Sequence, residues 1–347
     1  MPQKSSYWLD SEALTFFSAQ QTTAYRVYSE GNWRWIERYG DDCLIAQTHP
    51  PSSKHPAILT EPASAQLLAS QLQNWARTHR LPIHRIFFQA VDPKLREAPR
   101  LIFGPEEGGA SECKSTEGMF TGSAMELGLH YHIDWRGLTG RGLFIDQREN
   151  RIFLANLLRS QASSAAKPAP AFKTNSKPVQ LLNLFAYTCS FSVVAAHAGA
   201  ITTNIDLSRP ALDRGRENLR LNGLDPGKHF FHAADVRDSL PFLAKKGLKF
   251  DIIILDPPTF SKSKSGKPFQ VECDFFVMLE QALACAERGA HILLSTNCRT
   301  LSQPLLRKGA EESLRRMGIQ AAFLKAPDPI DIPACHRPTT FWLKLCG

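Results

Sequence analysis

No apolar run in the sequence approaches the roughly 18–20 residues that a membrane-spanning helix needs. The opening residues, MPQKSSYWLDSEALTFF, carry Asp10 and Glu12 where a signal peptide is apolar. No membrane partner is expected, and a cytoplasmic location is. None of the eight cysteines stands in a CxxC pair or at a short ligand spacing from a histidine, so neither a zinc site nor a disulfide framework is indicated. His130 and His132 share one face of a strand, but no further ligands accompany them and no metal is expected. Also missing are a GxGxxG fingerprint and a Walker lysine, the usual cradles for pyrophosphate. NAD and ATP lose ground as ligands.

What is present is an ordinary globular balance. The 347 residues are 43% hydrophobic and 21% charged, enough for two domains. The net charge of +8 is unevenly placed: residues 1–160 carry 17 basic and 17 acidic side chains, and residues 161–347 carry 24 and 16. A basic second half either meets a polyanion or is solvated by its lysines. Composition leaves both readings open.

The first half reads as a mixed α/β unit. Tyr25–Tyr28, Trp33–Glu37, Cys43–Gln47 and Ile83–Ala90 are short β-prone runs, with a helix entered at Thr60 and Pro62. Leu129–Ile133 and Gly142–Asp146 read as two strands around a turn at Trp135–Gly140. Between Arg159 and Pro178 the chain is rich in Ser, Ala, Pro and Lys, as in a linker. Beyond it, strands at 179–185, 200–205, 229–233, 250–255 and 291–295 alternate with helices, one of them predicted over 275–288. That alternation predicts a doubly wound α/β fold.

In such folds ligands bind beyond the carboxyl ends of the strands, near the point where strand order reverses. A carboxylate follows each of three successive strands: Asp206, Asp235 and Asp256. Asp206 stands about 20 residues beyond the first loop, where a carboxylate accepts from ribose hydroxyls. Asp235 is placed to accept from an adenine amino group. Each alone also reads as a helix cap. The first loop offers Thr188, Cys189 and Ser190 rather than glycines, which suits a cofactor without phosphate. In Asp256-Pro-Pro-Thr-Phe the rigid Pro257-Pro258 turn fixes a carboxylate and carbonyls against a planar ring, on which Phe260 can stack.

These segments carry a resemblance. Leu182-Asn-Leu-Phe-Ala-Tyr-Thr-Cys-Ser-Phe, Asn204-Ile-Asp-Leu-Ser, Glu217-Asn-Leu-Arg-Leu-Asn-Gly and Asp256-Pro-Pro-Thr-Phe-Ser-Lys-Ser-Lys are similar to the S-adenosylmethionine-dependent methyltransferases of bacterial large-subunit rRNA. Thr139-Gly-Arg-Gly-Leu-Phe-Ile-Asp-Gln-Arg-Glu-Asn-Arg151 resembles the hairpin signature of that family, and Trp35-Ile-Glu-Arg-Tyr-Gly the start of its central domain. The resemblance implies a class I methyltransferase: a Rossmann-like, seven-stranded, mostly parallel sheet with a smaller N-terminal α+β domain. It implies α+β residues 1–124, a hairpin extension over 125–160, a linker over 161–178 and a catalytic domain over 179–347. The cofactor is S-adenosyl-L-methionine and the partner is RNA, of the ribosome.

Carried over by residue, Tyr187, Thr188, Cys189, Ser190 and Phe191 surround the methionine part of the cofactor. Asp206 takes the ribose, Asp235 the adenine, and Asp256 lies by the sulfonium and the target base with Pro257 and Pro258. Gln147 and Arg148 reach the same place from the hairpin, Arg148 either opposite the methionine carboxylate or in a structural ion pair. The family usually has glycines where this chain has Cys189-Ser190, so narrowing of the pocket is expected. Methylation of cytosine at carbon 5 needs a thiolate on carbon 6, and Cys298 follows the fifth strand, where the cytosine branch keeps its cysteine. The Asp-Pro-Pro-Thr-Phe-Ser wording is nearer the guanine-N7 branch. Cytosine C5 is the expected target, with guanine N7 or an exocyclic amine as the alternative, and an RNA-binding factor of weak activity as a third reading. Lys262, Lys264, Lys267 and Arg299 are the expected phosphate contacts.

Overall fold

The computed structural model describes residues 6–49, 62–92, 97–104, 120–137, 140–164, 177–262 and 268–346. The chain divides into two compact units, Met1–Asp146 with Pro329–His336, and Gln147–Asp328 with Arg337–Gly347.

In the first unit, β1 (Tyr7–Trp8) and α1 (Ser11–Ala19) precede a run of aromatic and β-branched strands: β2 (Ala24–Glu30), β3 (Arg34–Tyr39) and β4 (Asp42–Gln47). After α2 (Pro62–Thr78) come β5 (Arg85–Ala90) and β6 (Arg100–Phe103). The six strands form one sheet in sequence order. Only β4 and β5 run parallel, because α2 lies between them in the chain and a parallel pair needs a crossover. Phe17 of α1 and Leu68 and Leu72 of α2 pack with Val27, Ile36, Ile45 and Phe88 of the sheet.

A hairpin follows, β7 (Thr121–Glu126) paired antiparallel with β8 (Leu129–Asp134). Leu127 and Gly128 join them with positive φ, 56° and 74°, the signature of a two-residue turn that matches strand twist. The expected hairpin is thus displaced. Residues 142–146 form no strand, although the Asp134 amide still donates to the Arg141 carbonyl at 2.9 Å. Gly142, at φ 107°, lies so close to the His132 carbonyl that any side chain there clashes, and the chain turns away.

The second unit opens with α3 (Arg148–Ser164), so helix occupies the first residues of the expected linker. Then come β9 (Gln180–Leu184), α4 (Ser190–His197), β10 (Ile201–Asp206), α5 (Arg209–Leu221), β11 (Phe230–Ala233), α6 (Val236–Lys245) and β12 (Phe250–Leu255). They are followed by the short pair β13 (Phe260–Lys262) and β14 (Pro268–Gln270), then α7 (Val271–Ala284), β15 (Ala286–Thr296), α8 (Gln303–Arg316), β16 (Ala321–Leu324) and β17 (Thr339–Leu345). The predicted helix over 275–288 ends early, because Ala286 already pairs with Phe250 of β12 ahead of the regular ladder from Ile252–His291.

The seven-stranded sheet has the order β11-β10-β9-β12-β15-β17-β16, parallel except for β17, which is antiparallel to both its neighbours. Its central strands are rich in Leu and Ile because helices cover both faces. Ile253, Leu255, Ile292 and Leu294 meet Phe275, Leu279, Leu240 and Leu306 in one core. Each such side chain stabilises the fold by about 1.5–3 kcal/mol on full burial. The order reverses between β9 and β12, which opens a crevice at their carboxyl ends.

Candidate active site

The loop after β9 is held in a costly conformation. Phe185, Tyr187 and Cys189 have φ of 57°, 47° and 62°, in the left-handed region that a residue with a Cβ disfavours by about 1–2 kcal/mol. Neighbouring elements pin it there. The Ala186 amide donates to the Ile205 carbonyl at 3.0 Å, and Asn218 Nδ2 of α5 donates to the Thr188 carbonyl at 3.0 Å. Beneath it, Asn183 Nδ2 donates to Ser192 Oγ, which donates to Asn204 Oδ1, a fully buried chain tying α4 to β9 and β10. Asp206 supplies the last anchor: Oδ2 accepts from the Tyr187 amide and Oδ1 from the Ser208 amide, both at 2.8 Å. Burial pushes the Asp206 carboxyl above its ordinary range, against the pull of these two amides. A carboxylate has about four lone-pair sites, so two backbone amides leave it able to accept from a diol as well.

Within the loop, Tyr187 and Ser190 are half-buried, while Thr188, Cys189 and Phe191 are buried. Cys189 does not narrow the crevice. Its side chain points into the core with Ala186 and Leu212, and a Cβ built on Gly215 of α5 would lie 2.5 Å from its Sγ. Burial pushes this thiol far up, so it is inert packing.

Asp235 caps α6 by accepting from the Arg237 amide at 2.9 Å and also holds the Arg237 guanidinium, with Nη2 2.8 Å from Oδ2. That hydrogen-bonded guanidinium holds the Asp235 carboxyl below the ordinary range. The cap that sequence offered as the plainer reading is therefore present, on a carboxylate that stays ionised. Arg148 is fully buried, with Nε donating to Glu149 Oε1 at 3.3 Å. A guanidinium without exposed surface presents nothing to a methionine carboxylate, so the ion-pair reading of Arg148 takes precedence. Arg151, also fully buried, lies under the loop: Nη1 is 3.4 Å from Ser190 Oγ, and its guanidinium is 5.6 Å from the Phe191 ring centroid.

Across the crevice, beyond β12, Asp256 is half-buried, Pro257 buried and Pro258 exposed. Gln147 Nε2 donates to Asp256 Oδ2 at 3.0 Å and to Ser295 Oγ of β15 at 2.7 Å. Its Oε1 accepts from Asn150 Nδ2 at 2.8 Å, and Asn150 Oδ1 accepts from the indole of Trp342 on β17 at 3.0 Å. With Nε2 donating twice and Oε1 accepting, Gln147 cannot flip without putting donor against donor at Asn150. Sequence reasoning named Gln147 and missed Asn150, Ser295 and Trp342. The available signal was a polar i,i+3 pair at the entry of a helix, since Gln147 and Asn150 face the same way there.

Cys298 lies elsewhere in this crevice wall. It is 5% exposed, and its Sγ is 3.6 Å from Glu272 Oε1 and 3.0 Å from Thr300 Oγ1. Thr300 in turn bonds Glu272, so the thiol is enclosed against the start of α7. Arg299 is exposed beside it. Lys264 and Lys267 lie outside the described residues, as do the side chains of Phe260 and Lys262. Among the described residues no group of His, Cys, Asp and Glu could hold a metal ion, and no helix is long and apolar enough to cross a membrane.

A sheet with this strand order, with a carboxylate at the end of its second strand and another beyond its fourth, has the class I methyltransferase architecture. The family model described as S-adenosylmethionine-dependent methyltransferase matches residues 102–306, and the chain belongs to that family. Its cofactor is S-adenosylmethionine. The chain is 35% identical over 293 residues to the ribosomal RNA large subunit methyltransferase K/L of Legionella pneumophila, covering 83% of this chain and 36% of that protein. It is 30% identical over 258 residues to the K/L enzyme of Methylococcus capsulatus, covering 72% and 32%. The chain thus spans well under half the length of these curated relatives. Among solved structures, the S-adenosylmethionine-dependent methyltransferase of Agrobacterium tumefaciens superposes with a TM-score of 0.63 at 20% identity, over 94% of this chain and 90% of that one. The SMU.776 protein in complex with S-adenosylhomocysteine gives 0.71 at 22%, over 96% and 78%. At these identities the likeness establishes the fold.

Proposed function

We propose that the chain methylates a base of large-subunit ribosomal RNA without covalent attack on the base, at guanine N7 or an exocyclic amine. Three kinds of support converge. The relatives are large-subunit rRNA methyltransferases, the second half of the chain carries the whole basic excess, and the residues around the crevice suit a flat polar ring. The observation that carries the reading is the Gln147 hydrogen bond, which fixes the Asp256 carboxylate at the crevice mouth. When bound, S-adenosylmethionine supplies an electrophilic methyl group on its sulfonium. Asp206 and Asp235 accept from the ribose hydroxyls and the adenine amino group, and Tyr187 and Ser190 line the methionine end. Asp256 accepts from an N–H of the target base and, with the rigid Pro257-Pro258 turn, holds the ring in line for displacement. Arg299, Lys262, Lys264 and Lys267 contact RNA phosphates. Incubation with labelled S-adenosylmethionine and unmodified large-subunit rRNA, followed by nucleoside mass spectrometry, tests this. A chain that binds the cofactor and transfers no methyl group to rRNA refutes it.

The second reading is cytosine C5, which requires Cys298 to touch the ring. A thiol 5% exposed and enclosed by Glu272 and Thr300 has little surface for that contact. Cys298→Ala is expected to keep kcat within about threefold of wild type, against a loss of several orders of magnitude if a covalent adduct is obligatory. Single-turnover methylation distinguishes them.

Cofactor binding should also report on Asp206. Its carboxyl is raised by burial and accepts only when ionised, so affinity falls as pH falls through a value above the usual carboxylate range. Asp235 is shifted the other way and stays ionised. Calorimetric titrations from about pH 7.5 down to 4 should show the dissociation constant rising ahead of the point, near 4, at which ordinary carboxylates titrate. A flat profile over that window removes Asp206 from the ribose site.

A further inference from the structure

The first unit contains a cavity of about 210 Å³ that none of the residues proposed above for the cofactor, the target base or the RNA phosphates lines. Every residue around it belongs to that unit. Two guanidiniums, Arg26 and Arg141, face two carboxylates, Glu37 and Asp146, so the formal charges cancel. A phosphate would gain nothing from such a balance. A neutral ring bearing both donors and acceptors suits it. The indole of Trp35 forms one wall, with the Arg26 guanidinium 5.2 Å from its centroid and the His336 ring edge-on at 5.0 Å. Phe144 also lines the cavity and is 44% exposed, so part of its surface is open to solvent.

Arg26 gives the sharper indication. It is 6% exposed; Nη2 donates to Glu37 Oε1 at 2.8 Å and Nη1 meets His336 Nδ1. Its Nε is buried with no hydrogen-bond partner among the described residues. A buried guanidinium N–H without an acceptor is costly, and the side chain that carries it lines this cavity. A cavity of about 150 Å³ is known to take a benzene ring, so this one has room for a single heterocycle and little more.

We propose that this cavity takes one unpaired base of the RNA substrate, stacked against Trp35 or Phe144, and that this base is not the one methylated, which must reach Asp256 in the other unit. The inference rests on the RNA-methyltransferase reading above. Splayed bases stacked on aromatic and guanidinium planes are the usual means of reading single-stranded RNA.

The test uses the full chain with S-adenosylhomocysteine and in vitro transcribed, unmodified large-subunit rRNA. Ultraviolet crosslinking and mass spectrometry should find nucleotide adducts on the peptides carrying Trp35 or Phe144. In steady state, Phe144→Ala should raise KM for rRNA about 10-fold with kcat changed less than about twofold, as expected for loss of one stacked base. Its affinity for S-adenosylmethionine should match wild type, which also shows that it folds, and Phe144→Tyr should restore KM. Adducts confined to other peptides, or a Phe144→Ala KM within about twofold of wild type, overturn the cavity proposal while leaving the methyltransferase reading intact. A wild-type chain that binds cofactor but neither methylates nor crosslinks to rRNA fails the parent reading, and this one with it.

Discussion

Asp256→Asn should lower kcat for RNA methylation by on the order of 10²–10³, the usual effect of removing one preorganised electrostatic partner from a reacting group. The substitution preserves shape, so the loss is chemical. In the wild type Gln147 donates to Oδ2, and Gln147 is itself locked by Ser295 and by Asn150, which Trp342 holds. An asparagine there must offer its oxygen to Gln147, which turns its own NH₂ toward the base. The group that accepted from the base then donates to it. On the proposed reading, in which S-adenosylmethionine is held by Asp206, Asp235 and the loop after β9, its dissociation constant should change by less than about threefold, a difference under 1 kcal/mol. Quench-flow measurement of the transfer step, with calorimetry of cofactor binding on the same preparation, separates the two quantities. Retention of kcat within about tenfold would remove Asp256 from the chemistry.

The same network marks where the sequence was readable and where it was not. The strand periods of the second half and the carboxylates at the ends of β10, β11 and β12 are local signals, and each stands where local reasoning placed it. Residues 142–146 misled, because an apolar run after a turn looks like a strand, whereas the real partner of β8 was the weakly β-prone Thr121–Glu126. Pairing is a long-range property, and a polar, glycine-bearing strand carries little trace of it. Asn150 and Trp342 are 192 residues apart and meet only because the sheet brings β17 beside β15. Burial was the other hidden variable. Arg148 and Cys189 are chemically able to serve a cofactor, and only their burial shows one held in an ion pair and the other packed into the core.

Gly215→Ala should destabilise the second unit by about 2–3 kcal/mol and weaken S-adenosylmethionine binding about 10-fold, although residue 215 lies on α5 outside the crevice. The methyl group would sit 2.5 Å from Cys189 Sγ, 2.9 Å from its Cβ and 3.4 Å from the Thr188 carbonyl carbon. The thiol cannot yield, because Cys189 is fully buried. The backbone must move instead, and it is the strained loop whose Tyr187 amide meets Asp206. Stability and cofactor affinity should therefore fall together. Cys189→Gly by itself relieves a left-handed residue but leaves a small cavity, so its net effect on stability should lie within about 1 kcal/mol. In the double variant the alanine methyl occupies space the sulfur vacated, and both losses should largely recover. That corresponds to a coupling of about 2 kcal/mol, within the range for side chains in contact. Denaturant unfolding of the four proteins closes the cycle. Additive effects would mean that Cys189 and Gly215 do not share the contact, leaving the Asn218 hydrogen bond to the Thr188 carbonyl as the tie between α5 and the loop.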